Sequence, residues 1–162
     1  MTNSNWLIYG ANGYTGELIA REAVKRGSRP ILAGRNREQV GALAAELKLE
    51  CRIAALDDRA ALETLLQDVA VVAHCAGPFS QTAKSMIDAC LRTRTHYLDI
   101  TGEIAVFEAA AARDLEAQAA GIMLLPGAGF DVVPTDCTAA YLKAQLPAAT
   151  HLALAFRGLG RT

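Results

Sequence analysis

Short apolar runs alternate with segments of helical periodicity along the chain. The runs predict strands at residues 6–9, 30–34, 51–56, 69–73, 95–100 and 121–125, and a seventh at 151–156. Apolar residues recurring at helical spacing predict helices near 15–26, 38–49, 60–67, 82–92, 103–119 and 135–146. Such β-α alternation predicts an α/β fold with a doubly wound, mostly parallel sheet covered by helices on both faces, in three layers.

Glycines and polar residues gather after the carboxyl ends of the predicted strands. They are Gly10, Arg35, Asp57 and the segments 75–79, 99–103 and 126–131. In open parallel sheets, ligands bind in the crevice outside these strand ends. The asymmetry therefore predicts a binding site along this edge of the sheet.

The first strand is followed at once by Gly10-Ala11-Asn12-Gly13-Tyr14-Thr15-Gly16 and then by a helix. Glycines at these positions make a tight turn and let the backbone approach a pyrophosphate, while the helix N-terminus offers free N–H groups to that anion. The spacing is GxxGxxG rather than GxGxxG, but small residues still occupy the positions nearest the phosphates. The segment predicts a dinucleotide site; the alternative is a glycine-rich turn in an ordinary α/β protein.

The end of the second strand bears on which dinucleotide is bound. Sites that prefer NAD usually place Asp or Glu there to accept hydrogen bonds from the ribose 2′-OH. This chain has Gly34-Arg35-Asn36-Arg37 instead. Because a guanidinium binds phosphate through a planar, charge-assisted fork, Arg35 favours NADP(H) over NAD(H). The alternatives are that Arg35 faces solvent or stacks on adenine, and Glu38 leaves NAD open.

Two further strand ends offer cofactor contacts. Asp57 or Asp58 is predicted to accept a hydrogen bond from the adenine amino group, or to cap the following helix, and one residue can do each. Ala76 and Gly77 are small enough to lie against the ribose and nicotinamide, and Pro78 fixes the turn. The alternative there is an ordinary tight β-α turn. No His or Lys is expected to be fixed close enough to Cys75 to lower the pKa of its thiol, so it is not predicted to be a nucleophile.

The last two strand ends carry acids whose roles stay open. Asp99, Thr101 and Glu103 are candidates to line the cleft, although Thr101 is equally suited to cap a helix. Asp131 or Asp136 is a candidate to orient cofactor or substrate. The alternative is that Asp131 lies in a turn and that Thr135 or Asp136 caps the next helix. The pattern names no catalytic acid or base.

Composition excludes several classes of protein. The chain has 162 residues, 52% of them apolar, and a net charge of −1, which argues against a disordered or a nucleic-acid-binding protein. No apolar run approaches the length of a membrane span, and the N-terminus lacks the features of a signal peptide. The four cysteines form no CxxC, and with the histidines they form no metal motif. Reduced, mostly buried thiols in a cytoplasmic protein are expected.

Five segments together resemble the saccharopine dehydrogenase-like oxidoreductases, and most of all the branch that includes the trans-acting enoyl reductases. They are Gly10–Gly16, Ala33–Arg35, Ala76–Phe79, Tyr97–Glu103 and Gly129–Asp136. The resemblance implies a Rossmann NAD(P)-binding domain. It also implies hydride transfer to or from a small-molecule or lipid-type substrate.

Members of that family carry a second α/β domain, whereas this chain ends at Thr162. We therefore expect residues 1–162 to form one NAD(P)-binding domain of a truncated chain, inactive alone and able to form homo-oligomers. A short-chain dehydrogenase or sugar-nucleotide epimerase is disfavoured, because none of the four tyrosines has a lysine four positions later. A non-enzymatic dinucleotide sensor is the remaining alternative.

Overall fold

The computed structural model describes residues 5–155, in which six strands and seven helices follow one another along the chain. The strands are β1 Trp6–Tyr9, β2 Ile31–Gly34, β3 Cys51–Ile53, β4 Val71–His74, β5 His96–Asp99 and β6 Leu124–Leu125. The helices are α1 Tyr14–Lys25, α2 Arg37–Leu47, α3 Arg59–Leu65, α4 Phe79–Thr93, α5 Ile104–Ala111, α6 Asp114–Ala120 and α7 Val133–Gln145. The described strands pair in parallel in the order β3-β2-β1-β4-β5-β6, which confirms the predicted fold class.

The strand order reverses at β1 and β4, which lie side by side although two strands separate them in sequence. Tyr9, the last residue of β1, pairs with His74, the last residue of β4. Chain segments that leave these two strands therefore diverge from a common point. This is the topological switch point at which open α/β sheets form their ligand crevice.

Apolar side chains cover both faces of the sheet because successive strand residues point to opposite sides. Ile8 and Leu32 pack with Val40 of α2 in one buried cluster. Leu7 and Val72 belong to a larger cluster on the other face. That cluster also includes Tyr97, Leu62, Met86, Ile87, Val106 and Ala117. Burying each large aliphatic side chain contributes roughly 1.5–3 kcal/mol, so these two layers hold the strand ends in place.

The single helix predicted at residues 103–119 is wrong, because the structure divides this segment into α5 and α6. Arg113 lies at the break with non-helical backbone angles (φ −98°, ψ 11°). Its guanidinium pairs with Asp88 of α4 at 2.7 Å and with Glu116 of α6. Periodicity and alanine content favour one continuous helix, but they carry no information about this ion pair to another helix.

The strand predicted at residues 151–156 is also wrong over its described part. Residues 151–155 have no regular structure, and Leu152 and Leu154 are 58% and 52% exposed. Phe156 lies outside the described residues. Alternating apolar residues form a strand only beside another strand, and within residues 5–155 the sheet ends at the two-residue β6. Helix α7, just before this segment, buries none of its side chains.

The cysteines are less buried than expected. Cys90 is buried and Cys75 is half-buried, but Cys51 and Cys137 are exposed, and all four thiols are free. Among residues 5–155, no group of three or more His, Cys, Asp or Glu side chains is arranged to hold a metal ion. None of the described helices is long and apolar enough to cross a membrane.

Candidate nucleotide site

The loop between β1 and α1 is as compact as its glycines allow. Gly10 has a φ of +81°, which disfavours any side chain. The N–H groups of Gly10 and Ala11 both donate to the carbonyl of Ala33 in β2, at 2.8 and 3.1 Å. A Cβ on Gly16 would overlap the carbonyl oxygen of Gly10 and lie 2.9 Å from the Cα of Ala11. The first turn of α1 is thus pressed directly onto the loop.

Helix α1 begins at the loop without a side-chain cap. Its N-cap residue is Gly13, with extended backbone and no side chain to accept a hydrogen bond. Among residues 5–155, no side chain is bonded to the N–H groups of Tyr14, Thr15 or Gly16. These donors lie at the positive end of a 12-residue helix. The arrangement offers an anion the unpaired N–H groups that phosphate binding requires.

An open cleft of about 810 Å³ runs along the carboxyl edge of the sheet beside this loop. Eight of the predicted cofactor residues line it, namely Gly10, Asn12, Gly13, Arg35, Asp57, Ala76, Gly77 and Pro78. The other four do not: Ala11 is buried in the loop, Gly16 is buried in the first turn of α1, Thr15 is half-buried, and Tyr14 is 83% exposed outside the cleft. These four residues therefore build the loop and the start of α1 rather than the wall of the cleft.

Several lining residues were not predicted from the sequence. They are Tyr9, Gly34, Asn36, Gln39, Ala55, Leu56, Cys75, Gln81, Thr82 and Ser85. Gln81, Thr82 and Ser85 lie on the face of α4 that borders the cleft. A helical spacing of three to four residues would have identified this face only once α4 was known to border the site.

Arg35 stands at the opposite end of the cleft from α4. It is exposed, and it shares the lining with Asn36 and Gln39 at the start of α2. The Asn36 side chain accepts from the N–H of Gln39 at 3.1 Å, and the Gln39 side chain accepts from Asn12 at 2.7 Å. These bonds join the start of α2 to the glycine loop. Arg37, the second arginine, does not line the cleft.

Asp57 and Asp58 divide the two roles proposed for them. The Asp58 carboxylate accepts from the N–H of Ala61 at 3.0 Å and caps α3. Asp57 lines the cleft.

Tyr9 also lines the cleft, and its hydroxyl donates to the carbonyl of Ala54 at 2.9 Å. Burial raises the pKa of Tyr9 to about 12, although the charge of Arg35 opposes the shift, so this hydroxyl stays protonated.

Hydrogen bonds from the side chains of Thr82 and His74 fix the turn after β4. The Gly77–Pro78 peptide is cis. The Thr82 hydroxyl contacts the carbonyls of Ala76 and Pro78 at 2.7 and 3.1 Å, and Nε2 of His74 lies 3.1 Å from the same oxygen. Because the hydroxyl proton goes to a carbonyl, we assign the His74 proton to Nε2, which donates to Thr82. Burial lowers the pKa of His74 to about 3, so its ring is neutral.

Asp99 and Thr101 do not line the cleft, contrary to one of the two expectations for this segment. Both are buried. Asp99 accepts from the hydroxyl of Tyr97 at 2.6 Å and from the N–H groups of Thr101 and Gly127 at 3.0 and 2.8 Å. Burial and the Asp99 charge raise the pKa of Tyr97, which keeps this donor protonated. Three donors hold the carboxylate, which makes it a brace between β5 and the loop after β6.

Thr101 and Glu103 extend these hydrogen bonds from the end of β5 to the N-terminus of α4. The Thr101 hydroxyl accepts from the N–H of Glu103, the residue directly before α5, at 3.0 Å. The Glu103 carboxylate accepts from the N–H groups of Phe79 and Ser80 at 2.7 and 3.0 Å. Glu103 therefore binds the N-terminus of α4 and does not line the cleft. Each of the three polar residues predicted at this strand end thus has partners within the protein.

The Gly/Pro-rich segment at residues 126–136 does not line the cleft either. A Cβ on Gly127 would lie 2.5 Å from the ring of Phe107, and one on Gly129 would lie 2.8 Å from the Cβ of Ile100. Close packing therefore accounts for both glycines. Helix α7 begins after Val132 without a side-chain cap, so the capping role proposed for Thr135 or Asp136 is wrong. Asp131 lies beside Gly102, and Asp136 lies in the first turn of α7.

Cys75 lines the cleft beside Ala76 but lacks the surroundings of a nucleophile. Burial, together with the negative charge of Asp99, raises the pKa of its thiol to about 12. The thiolate is the reactive form, so Cys75 is unreactive near neutral pH. This agrees with the expectation from the sequence.

A parallel sheet with a glycine loop and a crevice at its switch point defines a Rossmann-type dinucleotide-binding domain. Residues 6–125 match the model of the saccharopine dehydrogenase NADP binding domain. The chain belongs to this family. Because the family is defined by NADP binding, the match confirms the cofactor class predicted from Arg35.

Two relatives support the same assignment. The chain is 31% identical over 140 residues to a trans-acting enoyl reductase of Mycobacterium leprae (strain TN), covering 80% of this chain and 33% of that protein. It is 27% identical over 157 residues to a saccharopine dehydrogenase-like oxidoreductase of Homo sapiens, covering 85% and 37%. The chain therefore spans about a third of the length of these relatives.

Saccharopine dehydrogenase (L-Glu forming) from Saccharomyces cerevisiae has the same fold. Its structure superposes with a TM-score of 0.75 over 89% of this chain and 31% of its own, at 20% sequence identity. At that identity the likeness concerns the fold.

Proposed function

We propose that this chain binds NADP(H) in the cleft and supplies the cofactor half of an oxidoreductase. The chemistry is hydride transfer between the nicotinamide and a small-molecule or lipid-type substrate. The observation that carries the proposal is that the glycine loop, Arg35 and the turn at residues 76–78 line one cleft at the β1–β4 switch point. The relatives named as an enoyl reductase and as oxidoreductases point to the same chemistry.

Each wall of the cleft suits a different part of the cofactor. Gly10, Gly13 and the uncapped end of α1 would hold the pyrophosphate. Arg35 would bind the 2′-phosphate, since a guanidinium pairs with a phosphate through two parallel hydrogen bonds. At the other strand ends, Asp57 would accept from the adenine amino group, and the backbone of residues 76–78 would lie along the ribose and nicotinamide.

The substrate site is proposed to lie in the part of the family's length that this chain does not span. We therefore expect this chain alone to bind cofactor without turning over a substrate. A cytoplasmic location is proposed because free thiols persist in reducing compartments. If the chain forms homo-oligomers, its exposed apolar residues Tyr141, Leu142 and Leu146 are the proposed contact.

The test is a calorimetric titration of the chain with NADPH and with NADH. The wild-type chain should bind NADPH more tightly. Arg35→Ala should weaken NADPH binding by about 10- to 100-fold, since a hydrogen bond to a charged group contributes roughly 1.5–3 kcal/mol. NADH, which lacks the 2′-phosphate, should lose little.

Arg37→Ala is the matched control, because it removes the same charge two residues away and outside the cleft. It should leave both affinities near wild type. Equal losses of NADPH and NADH with Arg35→Ala, or none, would remove Arg35 from the site. No binding of either dinucleotide by the wild-type chain would refute the proposal for this polypeptide.

A further inference from the structure

The N-terminus of α4 is occupied by a carboxylate from a distant part of the chain. Glu103 accepts from the N–H groups of Phe79 and Ser80, which lie 24 and 23 residues earlier in sequence. These N–H groups belong to the first turn of the helix, where no carbonyl within the helix can accept from them. Hydrogen bonds from Ser80 and Phe79 lower the pKa of the Glu103 carboxyl, which keeps it ionised near neutral pH.

The same stretch of backbone forms one wall of the cofactor cleft. Pro78, the N-cap residue of α4, lines the cleft together with Ala76 and Gly77. Phe79 and Ser80 follow directly in the chain. Any shift of the α4 N-terminus therefore moves the wall, whereas Glu103 itself does not line the cleft.

Glu103 is held rigidly enough to act as a support. Its own N–H donates to the Thr101 hydroxyl, and the N–H of Thr101 donates to the buried carboxylate of Asp99. This chain of bonds begins at the end of β5 and ends at α4. On its inner side, the turn at residues 76–78 is held by Thr82 and, through it, by His74. Two independent sets of hydrogen bonds thus fix the position of the wall.

We propose that Glu103 is a positioning residue for the nicotinamide half of bound NADP(H). It sets the place of the 76–78 wall relative to the glycine loop, and it does so without touching the cofactor. The inference rests on the proposed function, which assigns this wall to the ribose and nicotinamide. It goes further by assigning a role to a residue outside the cleft. A residue that only stabilises α4 would support both halves of the cofactor equally.

The test compares two ligands on the full 162-residue chain. NADP⁺ contains both halves of the cofactor, whereas 2′,5′-ADP contains the adenosine half with its 2′-phosphate and no nicotinamide. Glu103→Gln keeps the shape of the side chain but replaces charge-assisted hydrogen bonds with weaker neutral ones. We expect it to weaken NADP⁺ by about five- to tenfold while leaving 2′,5′-ADP within about twofold. Glu108→Gln, an equal change on the exposed side of α5, should alter neither affinity.

The pH dependence provides a second readout. As the pH falls far enough to protonate Glu103, the wild-type preference for NADP⁺ over 2′,5′-ADP should fall, and Glu103→Gln should show no such dependence. A ratio of the two affinities that is unchanged in Glu103→Gln, even with a lower melting temperature, would overturn the proposal. If that variant does not fold, Glu103→Asp, which keeps the charge but shortens the reach, must lower the ratio. A wild-type chain that binds neither ligand would instead refute the proposed function.

Discussion

Helices α1 and α4 begin at the same edge of the sheet, after the adjacent strands β1 and β4, but their N-termini are satisfied differently. The first turn of α1 follows Gly13, and no side chain among residues 5–155 is bonded to its N–H groups. The first turn of α4 holds the carboxylate of Glu103. Because an uncapped helix end attracts an anion, the chain keeps one end available for a phosphate and fills the other itself.

Helices α2 and α3, which lie between α1 and α4 in sequence, support this distinction. Asn36 caps α2 and Asp58 caps α3, each with its own side chain in the N-cap position. Among the four helices that follow β1 to β4, α1 alone has no side-chain acceptor at its N-terminus within the described residues. Because the uncapped residue of α1 is Gly13, a glycine of the motif, the capping pattern agrees with the anion site that the motif predicts.

The largest effect is expected from adding a side chain in the first turn of α1. In Gly16→Ala, the new methyl group would overlap the Gly10 carbonyl, so either the loop or the helix must move. We expect the free energy of unfolding to fall by roughly 1–3 kcal/mol or more, and NADPH binding to be lost. Denaturant unfolding and calorimetry measure the two effects.

Gly41→Ala in α2 is the control for that change. A Cβ there meets no atom within 4 Å, so this variant should gain up to about 1 kcal/mol from helix propensity and bind NADPH normally. Wild-type affinity in Gly16→Ala would mean that the tight loop is not needed for the ligand, and the contrast between α1 and α4 would lose its functional meaning.

The next effect, visible in the pH dependence of stability rather than in ligand binding, is expected at His74, which supports the turn before α4 through Thr82. The neutral His74 ring has a pKa of about 3 when folded, against an ordinary value near 6.5 when unfolded. Below pH 6.5, His74 therefore binds a proton in the unfolded chain but stays neutral in the folded chain. The stabilisation is complete above pH 6.5 and falls as the pH drops towards 3, by up to about 1.4 kcal/mol per pH unit.

Urea unfolding between pH 4 and 7 tests this dependence. In His74→Phe and His74→Asn, the stability should vary less with pH than in the wild-type chain, by the contribution of one proton. If the free energy of unfolding varied equally with pH in all three proteins, His74 would not be buried in its neutral form.

The smallest effect is expected from the two neighbouring aspartates. Asp58→Ala removes the cap of α3 and should cost about 1 kcal/mol of stability, with little change in NADPH affinity. Asp57→Ala should do the reverse, since its side chain borders the cleft and caps no helix. Thermal unfolding and calorimetry on both variants give the comparison. Equal behaviour of the two would contradict the division of roles.

Features that depend on local chemistry were predictable from the sequence. The turn at Gly10–Gly16 needs no knowledge of distant residues, because its glycines and the adjoining strand and helix lie within about ten positions of one another. Arg35 was identifiable for the same reason, since it directly follows β2. The end of each central strand could likewise be located, because buried parallel strands have nearly continuous apolar sequences.

Features that depend on distant packing were not predictable. From the sequence, Glu103 and Asp99 are candidates for the cleft, because a polar residue at a strand end fits either a ligand or a protein partner. Only the tertiary structure shows the N–H groups of Phe79 and Gly127 next to them. Gln39 and Thr82 were missed because helix packing, rather than any motif, brings them to the cleft. The break at Arg113 depends on Asp88 in another helix.

The position of the cleft at the β1–β4 switch point has a consequence for the dynamics of the domain. One wall comes from residues 9–57 and the other from residues 75–85, so a dinucleotide lying across the cleft would contact both walls at once. A ligand that binds only the closed form reduces the population of every opening that separates the walls. Amide hydrogen exchange in α2 and in α4 would then slow together, although the two helices lie on opposite sides of the switch point.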